Sequence, residues 1–395
     1  MPTPILSNKE ILAIINDDST YKSFTSKLTA EIFQENGFEM LRQNDYKLLS
    51  DFFGLSMRVY LNKIDRPNAR IPKLYTKVVE EYANEKGAIA QRISIAMMKP
   101  VDPKFTELVE FGSVDPFIIR KSKTKERFFR QNFNYQNFRT VQTFELKQIF
   151  LDENGISEFA QGLLASFDES YNVQKYEMMR EMISLAINST NNPLKDTQKI
   201  TVPKIDENAT EDDQSKYLQI MNMLASAMET STTTGEFNAY GFEHGCYLED
   251  YVLMVRANVW NKIKTGIMAT TYHNQNLSIK FDVEEVKDFG GIIYVDSNDN
   301  ELKPVHNQIG EVIGFNESGE GEPLPQDQVF QKDPNENISA VLIQRGAIFS
   351  TKQNPYVVKS IENPRGEYVN FFANEPNGSF NYDCARDIII FPEEE

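Results

Sequence analysis

The sequence predicts an α+β chain in several parts, and three observations predict it. Residues 156–186 carry a helical stripe, in which Ile156, Phe159, Ala160, Leu163, Leu164, Phe167 and Tyr171 follow steps of three and four and Met179, Met182, Ile183 and Ala186 continue it. Apolar runs at 252–255, 292–295 and 340–343 have the length and β-branched content of strands. The chain has 395 residues, more than the roughly 100–200 of one domain, so more than one core is expected.

The first element is an arm. Ser7 to Glu10 has the spacing of a capping box, followed by Ile11, Leu12, Ile14 and Ile15. A second polar-to-apolar segment runs from Asp45 through Leu48, Leu49, Phe52 and Phe53, and Gly37 and Gly54 act as stops, so residues 1–58 read as helical. Between Tyr60 and Phe117, Pro67, Pro72, Pro100, Pro103 and Pro116 punctuate short apolar runs at 77–79 and 93–96. Prolines at that density are poorly tolerated in helices or central strands, which predicts an extended, strand-rich excursion.

The helix at 156–186 spans about 45 Å at 1.5 Å per residue and stops at Asn191-Asn192-Pro193. The polar stretch 206–214 marks a boundary before a second helix with Tyr217, Ile220, Met221, Leu224 and Met228 on one side. Residues 296–338 hold ten acidic and two basic side chains, a net of −8, together with Gly310, Gly314, Gly319, Gly321, Pro323, Pro325 and Pro334. That composition predicts an exposed insertion rather than core. Strands at 368–373 and 387–391 close the chain, with turn chemistry at Glu375-Pro376-Asn377-Gly378 between them.

Composition excludes several classes. Hydrophobic residues at 40% and charged residues at 25% belong to a folding chain. No run approaches the roughly 18 apolar residues of a membrane span, and MPTPILSNKE lacks the plan of a signal peptide, so a soluble protein made in a cytoplasm is expected. Cys246 and Cys384 are too few for a disulfide scaffold and are expected as thiols. The net charge of −17 repels nucleic acid at long range, which argues against a dedicated DNA-binding protein and suits a wall to which packed DNA does not adhere.

Chemistry-bearing motifs are scarce. There are 3 histidines, and HExxH, P-loop, G-x-S-x-G and CxxC patterns do not occur, so no catalytic, cofactor or metal residue is assigned. Glu243-His244-Gly245-Cys246 offers two metal ligands where zinc needs three or four, and reads as a turn leading into a strand. Asp296-Ser297-Asn298-Asp299-Asn300-Glu301 begins like a calcium loop, but Glu301 stands at the glycine position and Asn307 at that of the bidentate glutamate, so it reads as a polar turn. Gly319-Glu320-Gly321 lacks the third glycine of a dinucleotide site. Trp260, Met178, Met179 and Met182 read as core filling.

The segment 117–147 stands apart, with eight basic residues against two acidic, a net of +6, interleaved with Phe128, Phe129, Phe133, Tyr135, Phe138 and Phe144. Basic and aromatic residues together suit a single-strand-binding groove. Core packing and contact with an acidic neighbouring subunit are the favoured reading, with Arg120, Lys121, Lys123, Lys125 and Arg127 as the electrostatic candidates.

Three short stretches, in order, carry a family resemblance. They are Asn44-Asp45 with the apolar segment up to Tyr60-Leu61-Asn62; Cys246-Tyr247-Leu248-Glu249-Asp250, similar to a Tyr-Met-Glu-Asp stretch before an apolar strand; and Ser339-Ala340-Val341-Leu342-Ile343 followed by the Asn363-Pro364-Arg365-Gly366 turn before an aromatic strand. The chain thus resembles, over residues 40–295 and 339–391, the major capsid proteins of small podoviruses of the phi29-like group, which have the Hong Kong 97 fold.

The resemblance implies an N-terminal arm at 1–58, an extended loop at 59–128 lying across a neighbour, and a peripheral domain at 129–205 with spine helix 156–186. It further implies an axial domain at 206–345 carrying the acidic insertion 296–338, and a return to the peripheral domain at 346–395. Implied with it are self-assembly into pentamers and hexamers of an icosahedral head, a scaffolding protein and portal as partners, weakly held double-stranded DNA inside, a place in the virion, and assembly in the host bacterial cytoplasm. Asn363, Pro364, Arg365 and Gly366 join the subunit-contact candidates. The chain departs from the family in the insertion 296–338 and in carrying no immunoglobulin-like domain after Phe391. The rival readings are a tail or interaction protein with an acidic display loop, and a carboxylate-dependent hydrolase.

Overall fold

The computed structural model describes residues 72–83, 89–97, 123–130, 133–142, 145, 155–206, 209–230, 235–270, 280–306, 312–352, 357–363, 366 and 368–394. The predicted arm at 1–58 lies outside them. The described chain opens with helix α1 (Lys73–Val78) and strands β1 (Val79–Ala83), β2 (Ile89–Ile95), β3 (Thr124–Arg130) and β4 (Phe133–Gln142). Helices α2 (Gly155–Ile187) and α3 (Glu211–Thr230) follow, then β5 (Tyr251–Arg256), α4 (Ala257–Thr270) and β6 (Asp282–Val286). Next come β7 (Ile293–Val295), β8 (Glu301–His306), β9 (Val312–Asn316) and β10 (Phe330–Lys332). The last strands are β11 (Ile338–Gln344), β12 (Ile348–Lys352), β13 (Val357–Asn363), β14 (Tyr368–Tyr382) and β15 (Ile388–Pro392).

A four-stranded sheet in the order β15-β11-β5-β6 is the wall between two cores. Side chains alternate across a strand, and here both sides are apolar. Val252, Met254, Val341, Ile343, Ile388 and Ile390 enter one core with α1, α2, β12 and β14. Tyr251, Leu253, Val255, Ala340, Leu342, Ile389 and Phe391 enter the other with α3 and α4. A strand covered on both faces reads as an unbroken apolar run, which is why 252–255 and 340–343 show no polar alternation. β5 and β6 pair in parallel, which requires a crossover, and α4 supplies it.

The helical stripe is realised almost residue for residue. α2 holds 33 residues, and Ala160, Leu163, Leu164, Phe167, Tyr171, Met179, Met182, Ile183 and Ala186 are buried along it. α3 buries Tyr217, Met221, Leu224 and Met228, and Trp260 is buried on α4. The upper part of α2 packs on β14 and β4 of a five-stranded sheet, in the order β1-β12-β14-β13 with β4 also paired to β14.

The structure corrects three expectations. Glu375 to Gly378 is not a turn between two strands: β14 runs through it with a bulge, pairing β13 before the bulge, β12 after it and β4 on both sides. Pro376 has no N–H to give the ladder, and a bulge is where a sheet tolerates that. The stretch 73–83 belongs to the body and not to an excursion, because Tyr75 and Val78 lie in the first core and β1 pairs in parallel with β12. Strand 388–392 pairs with β11 in the wall, so a division at 345/346 cuts through that sheet.

The acidic segment folds as a separate antiparallel sheet in the order β10-β7-β8-β9, stapled by Tyr294 stacked on Phe315 at 3.7 Å. Most of its side chains are exposed, and Val295, Leu302 and Val305 form its buried centre. The polar turn at its start is held by Asp296, whose Oδ1 accepts the N–H of Asn298 (2.8 Å) and of Asn300 (2.9 Å). The sheet's base is clamped to α2. Arg180 pairs with Asp288, and Asn335 Nδ2 donates to Ser184 Oγ (3.0 Å) and to Gly290 O (3.2 Å). From β5, Arg256 donates to Ile338 O (2.7 Å) and Asp333 (2.8 Å).

Candidate subunit-contact site

β2 and β3 pair as a two-stranded antiparallel ribbon with Arg92 opposite Arg127 and Ser94 opposite Lys125. Opposed residues share a face. The inner face carries Arg92, Ser94, Lys125, Arg127 and Phe129. The outer face carries Ile93, Ile95 and Phe128, which are 59%, 61% and 64% exposed, among the polar Gln91, Thr124 and Glu126. Single exposed apolar residues are ordinary on a monomer, but three large ones on one face make a patch of the kind that marks an interaction surface.

The inner face sits on the body. Asp383, 2% exposed, receives Arg92 Nε at 3.0 Å and also pairs with Arg127. Arg127 Nη2 donates to Ser94 Oγ (2.6 Å), Lys125 Nζ lies 3.4 Å from the centre of the Tyr240 ring, and Arg92 lies over Phe349 at 4.7 Å. Phe129 meets Phe349 edge-on at 4.8 Å, and Ala96 closes a small apolar cluster with Phe242 and Ala385. Met97 N donates to Glu243 O (2.8 Å).

Beside this seat opens a cleft of about 520 Å³, lined by Arg92, Ile95, Met97, His244, Tyr247 and Arg386 among others. Behind its His244 lies Asp387, which is fully buried. Asp387 accepts from Tyr251 OH (2.7 Å) and Asn238 Nδ2 (3.1 Å) and meets His244 Nε2 at 3.0 Å. Burial opposes the charge on Asp387, but His244, Tyr251 and Asn238 together hold its carboxyl below the usual value. Burial likewise opposes the charge on His244, and the hydrogen bond and charge of Asp387 overcome it, raising the imidazole above its usual value. Burial raises the Cys246 thiol. His244 thus spends its second nitrogen on Gly245 O (3.0 Å) and serves as a brace. Among the described residues, no group of three or more His, Cys, Asp or Glu side chains is placed to hold a metal.

The predicted contact residues scatter over this geometry. Arg120, Lys121, Pro364 and Arg365 lie outside the described residues. Lys123 is exposed, and its carbonyl accepts the Ala96 N–H (2.9 Å). Lys125 and Arg127 are committed to Tyr240 and Asp383 of their own chain. The backbone of Asn363 pairs with Tyr368, and Gly366 lies so close to the Tyr368 ring that a Cβ would stand 2.2 Å from it. Arg92, Asp383 and the outward Ile93 and Ile95 were not singled out as contact residues. Only the alternation across 93–95 signalled the last two, and it did not say which face is covered.

The fold as a whole has counterparts among solved structures. The chain is similar to one in the capsid structure of Staphylococcus phage Andhra, with a TM-score of 0.53, 14% identity, and coverage of 85% of this chain and 90% of that one. It is also similar to a chain in the structure of the head fiber and inner core protein gp22 of native bacteriophage P68, with a TM-score of 0.50, 12% identity, and coverage of 80% and 83%. At those identities the likeness establishes the fold, that of the Hong Kong 97 type of phage shell protein. The family described as Phi29-like phage major capsid protein matches residues 75–391, and the chain belongs to it. No curated protein sequence matches the chain.

Proposed function

We propose that this capsid-forming chain assembles into pentamers and hexamers that close as an icosahedral head, with the β2–β3 ribbon as the contact laid on a neighbouring copy. The observation that carries the ribbon's role is its outer face. Ile93, Ile95 and Phe128 stand in water on an element whose other face is held to the body through Asp383. Covering them against a neighbour contributes at about 25 cal/mol per Å², and each subunit of a closed shell makes that contact repeatedly.

In this reading α2 is the spine of a peripheral domain with β4, β13 and β14, and the β15-β11-β5-β6 wall with α3 and α4 forms the axial domain. The β2–β3 ribbon belongs to the extended loop expected at 59–128, and the acidic sheet decorates the shell. The role is structural and not enzymatic, and the chain resides in the virion after assembly in the bacterial cytoplasm. The net charge of −17 suits a container whose double-stranded DNA is held by weak contact. A scaffolding protein and a portal are the further partners the family points to.

Electron microscopy and sedimentation of the purified chain test the reading. Rings, sheets or closed shells are expected, and a chain that stays monomeric at high concentration overturns it.

A further inference from the structure

We propose that Asp383 is the pin of a joint between the β2–β3 ribbon and the body, and that the ribbon leaves its seat as a unit while both cores stay folded. Three features of the seat carry this. Its apolar part is small: a cluster of Ala96, Phe242 and Ala385, apart from the two main cores, and the ring contact of Phe129 with Phe349. Its charged part centres on one buried carboxylate, which takes Arg92 from β2 and Arg127 from β3 and so grips both strands at once, while the half-exposed Glu80 of β1 lies 3.6 Å from Arg92 as a weaker second partner. Finally, the ribbon's ladder is internal to β2 and β3, so undocking leaves it whole and breaks few backbone bonds, Met97 N to Glu243 O among them.

The physics of such a joint is asymmetric. Burying two guanidinium groups and a carboxylate costs desolvation that offsets most of their attraction, and opening the seat returns all three to water. Arg92 Nη1 and Arg127 Nε add to that cost, because they find no acceptor among the described residues. The closed seat is therefore specific in geometry without being strongly held. Removing the carboxylate alone is different, since it leaves Arg127 buried without its partner, next to an Arg92 that keeps the half-exposed Glu80. The socket does not depend on the ribbon: Asp383 N donates to Ala347 O (2.7 Å) and Asp383 Oδ1 accepts from Ala385 N (2.9 Å). If the ribbon is the subunit contact proposed above, the pin sets the angle at which it reaches the next copy. That consequence rests on the proposed function, whereas the joint does not.

Amide hydrogen exchange on the full, unassembled chain tests the joint, comparing the wild type with Asp383→Asn. An undocked two-stranded ribbon is marginal in water and its amides then exchange. Exchange at 89–97, 124–130 and 242–246 is expected to rise at least about tenfold, with α2, β5 and β11 unchanged. An unchanged ribbon overturns the proposal, and so does an equal loss of protection throughout α2 and β11. If Asp383→Asn does not fold, Arg92→Met, which leaves Arg127 on the carboxylate, should give the same regional pattern at smaller amplitude, and a flat result there also overturns it. Shells of unaltered size distribution from a variant with a loosened ribbon overturn the role of the pin in setting the angle. A wild type that forms no shells bears on the proposed function alone.

Discussion

His244 sits between opposing effects, and their balance makes a pH dependence. Burial works against its charge, and Asp387 more than restores it, so the imidazole titrates above its usual 6.5. A histidine raised on folding contributes stability that is complete below 6.5 and is lost as pH rises through its folded value. Asp387, held below its usual 3.8, contributes above 3.8 and loses it as pH falls through its lower folded value. The pair is therefore fully formed in mildly acidic solution. His244→Gln should lower Tm most at about pH 5.5 and progressively less towards about pH 8.5. A Tm difference that stays constant over that range would clear His244 of the effect. A second residue-scale prediction concerns Gly290, whose φ is +79° and where a Cβ would stand 2.4 Å from the Arg180 backbone. Gly290→Ala should cost ~3 kcal/mol in denaturant unfolding, from backbone strain and overlap with α2. A loss near zero would mean that the turn carrying the acidic sheet is not pressed against the helix.

At the scale of elements, the legible parts of the sequence are those whose environment is set locally. The stripe of α2 and the double-sided apolar runs of β5 and β11 announce themselves because their burial follows from helical and strand periodicity. β14 does not, since Pro376-Asn377-Gly378 has turn chemistry, and it is pairing with β13 and the sequence-distant β4 before it, and with β12 after it, that keeps the chain extended through it. The contact site was half legible for the same reason. Arg127 was named for its charge, but the carboxylate that holds it in its own chain comes from Asp383, far along the sequence. The ribbon's outer face yields a direct test. Ile93→Asp with Ile95→Asp should leave the unfolding free energy within about 0.5 kcal/mol, as surface substitutions do, while abolishing particles seen by electron microscopy. Normal particles from that double variant would remove the outer face from the contact.

The whole molecule is strongly acidic at −17, yet the segment 117–147 is +6 and the segment 296–338 is −8. Copies of such a chain repel one another on average, so contacts between them profit wherever unlike segments face each other. The structure narrows which cations are available for that. Arg127 is buried on Asp383 of its own chain and Lys125, though exposed, lies over the Tyr240 ring, so Lys123, Arg120 and Lys121 are the charges to test first between copies. Reversing Arg120, Lys121 and Lys123 to Glu should therefore raise the protein concentration at which assembly begins, and the more so at low ionic strength. At about 0.1 M salt the screening length is about 10 Å, and at about 1 M it falls to about 3 Å. The variant and the wild type should accordingly differ most in dilute buffer and converge as salt is added, because salt removes from the wild type the attraction that the substitutions remove from the variant. Light scattering across a salt series reads this directly. Coincident curves at low salt would show that the basic segment does not face a neighbour, and a gap that persists at high salt would show that the three residues act through packing rather than charge.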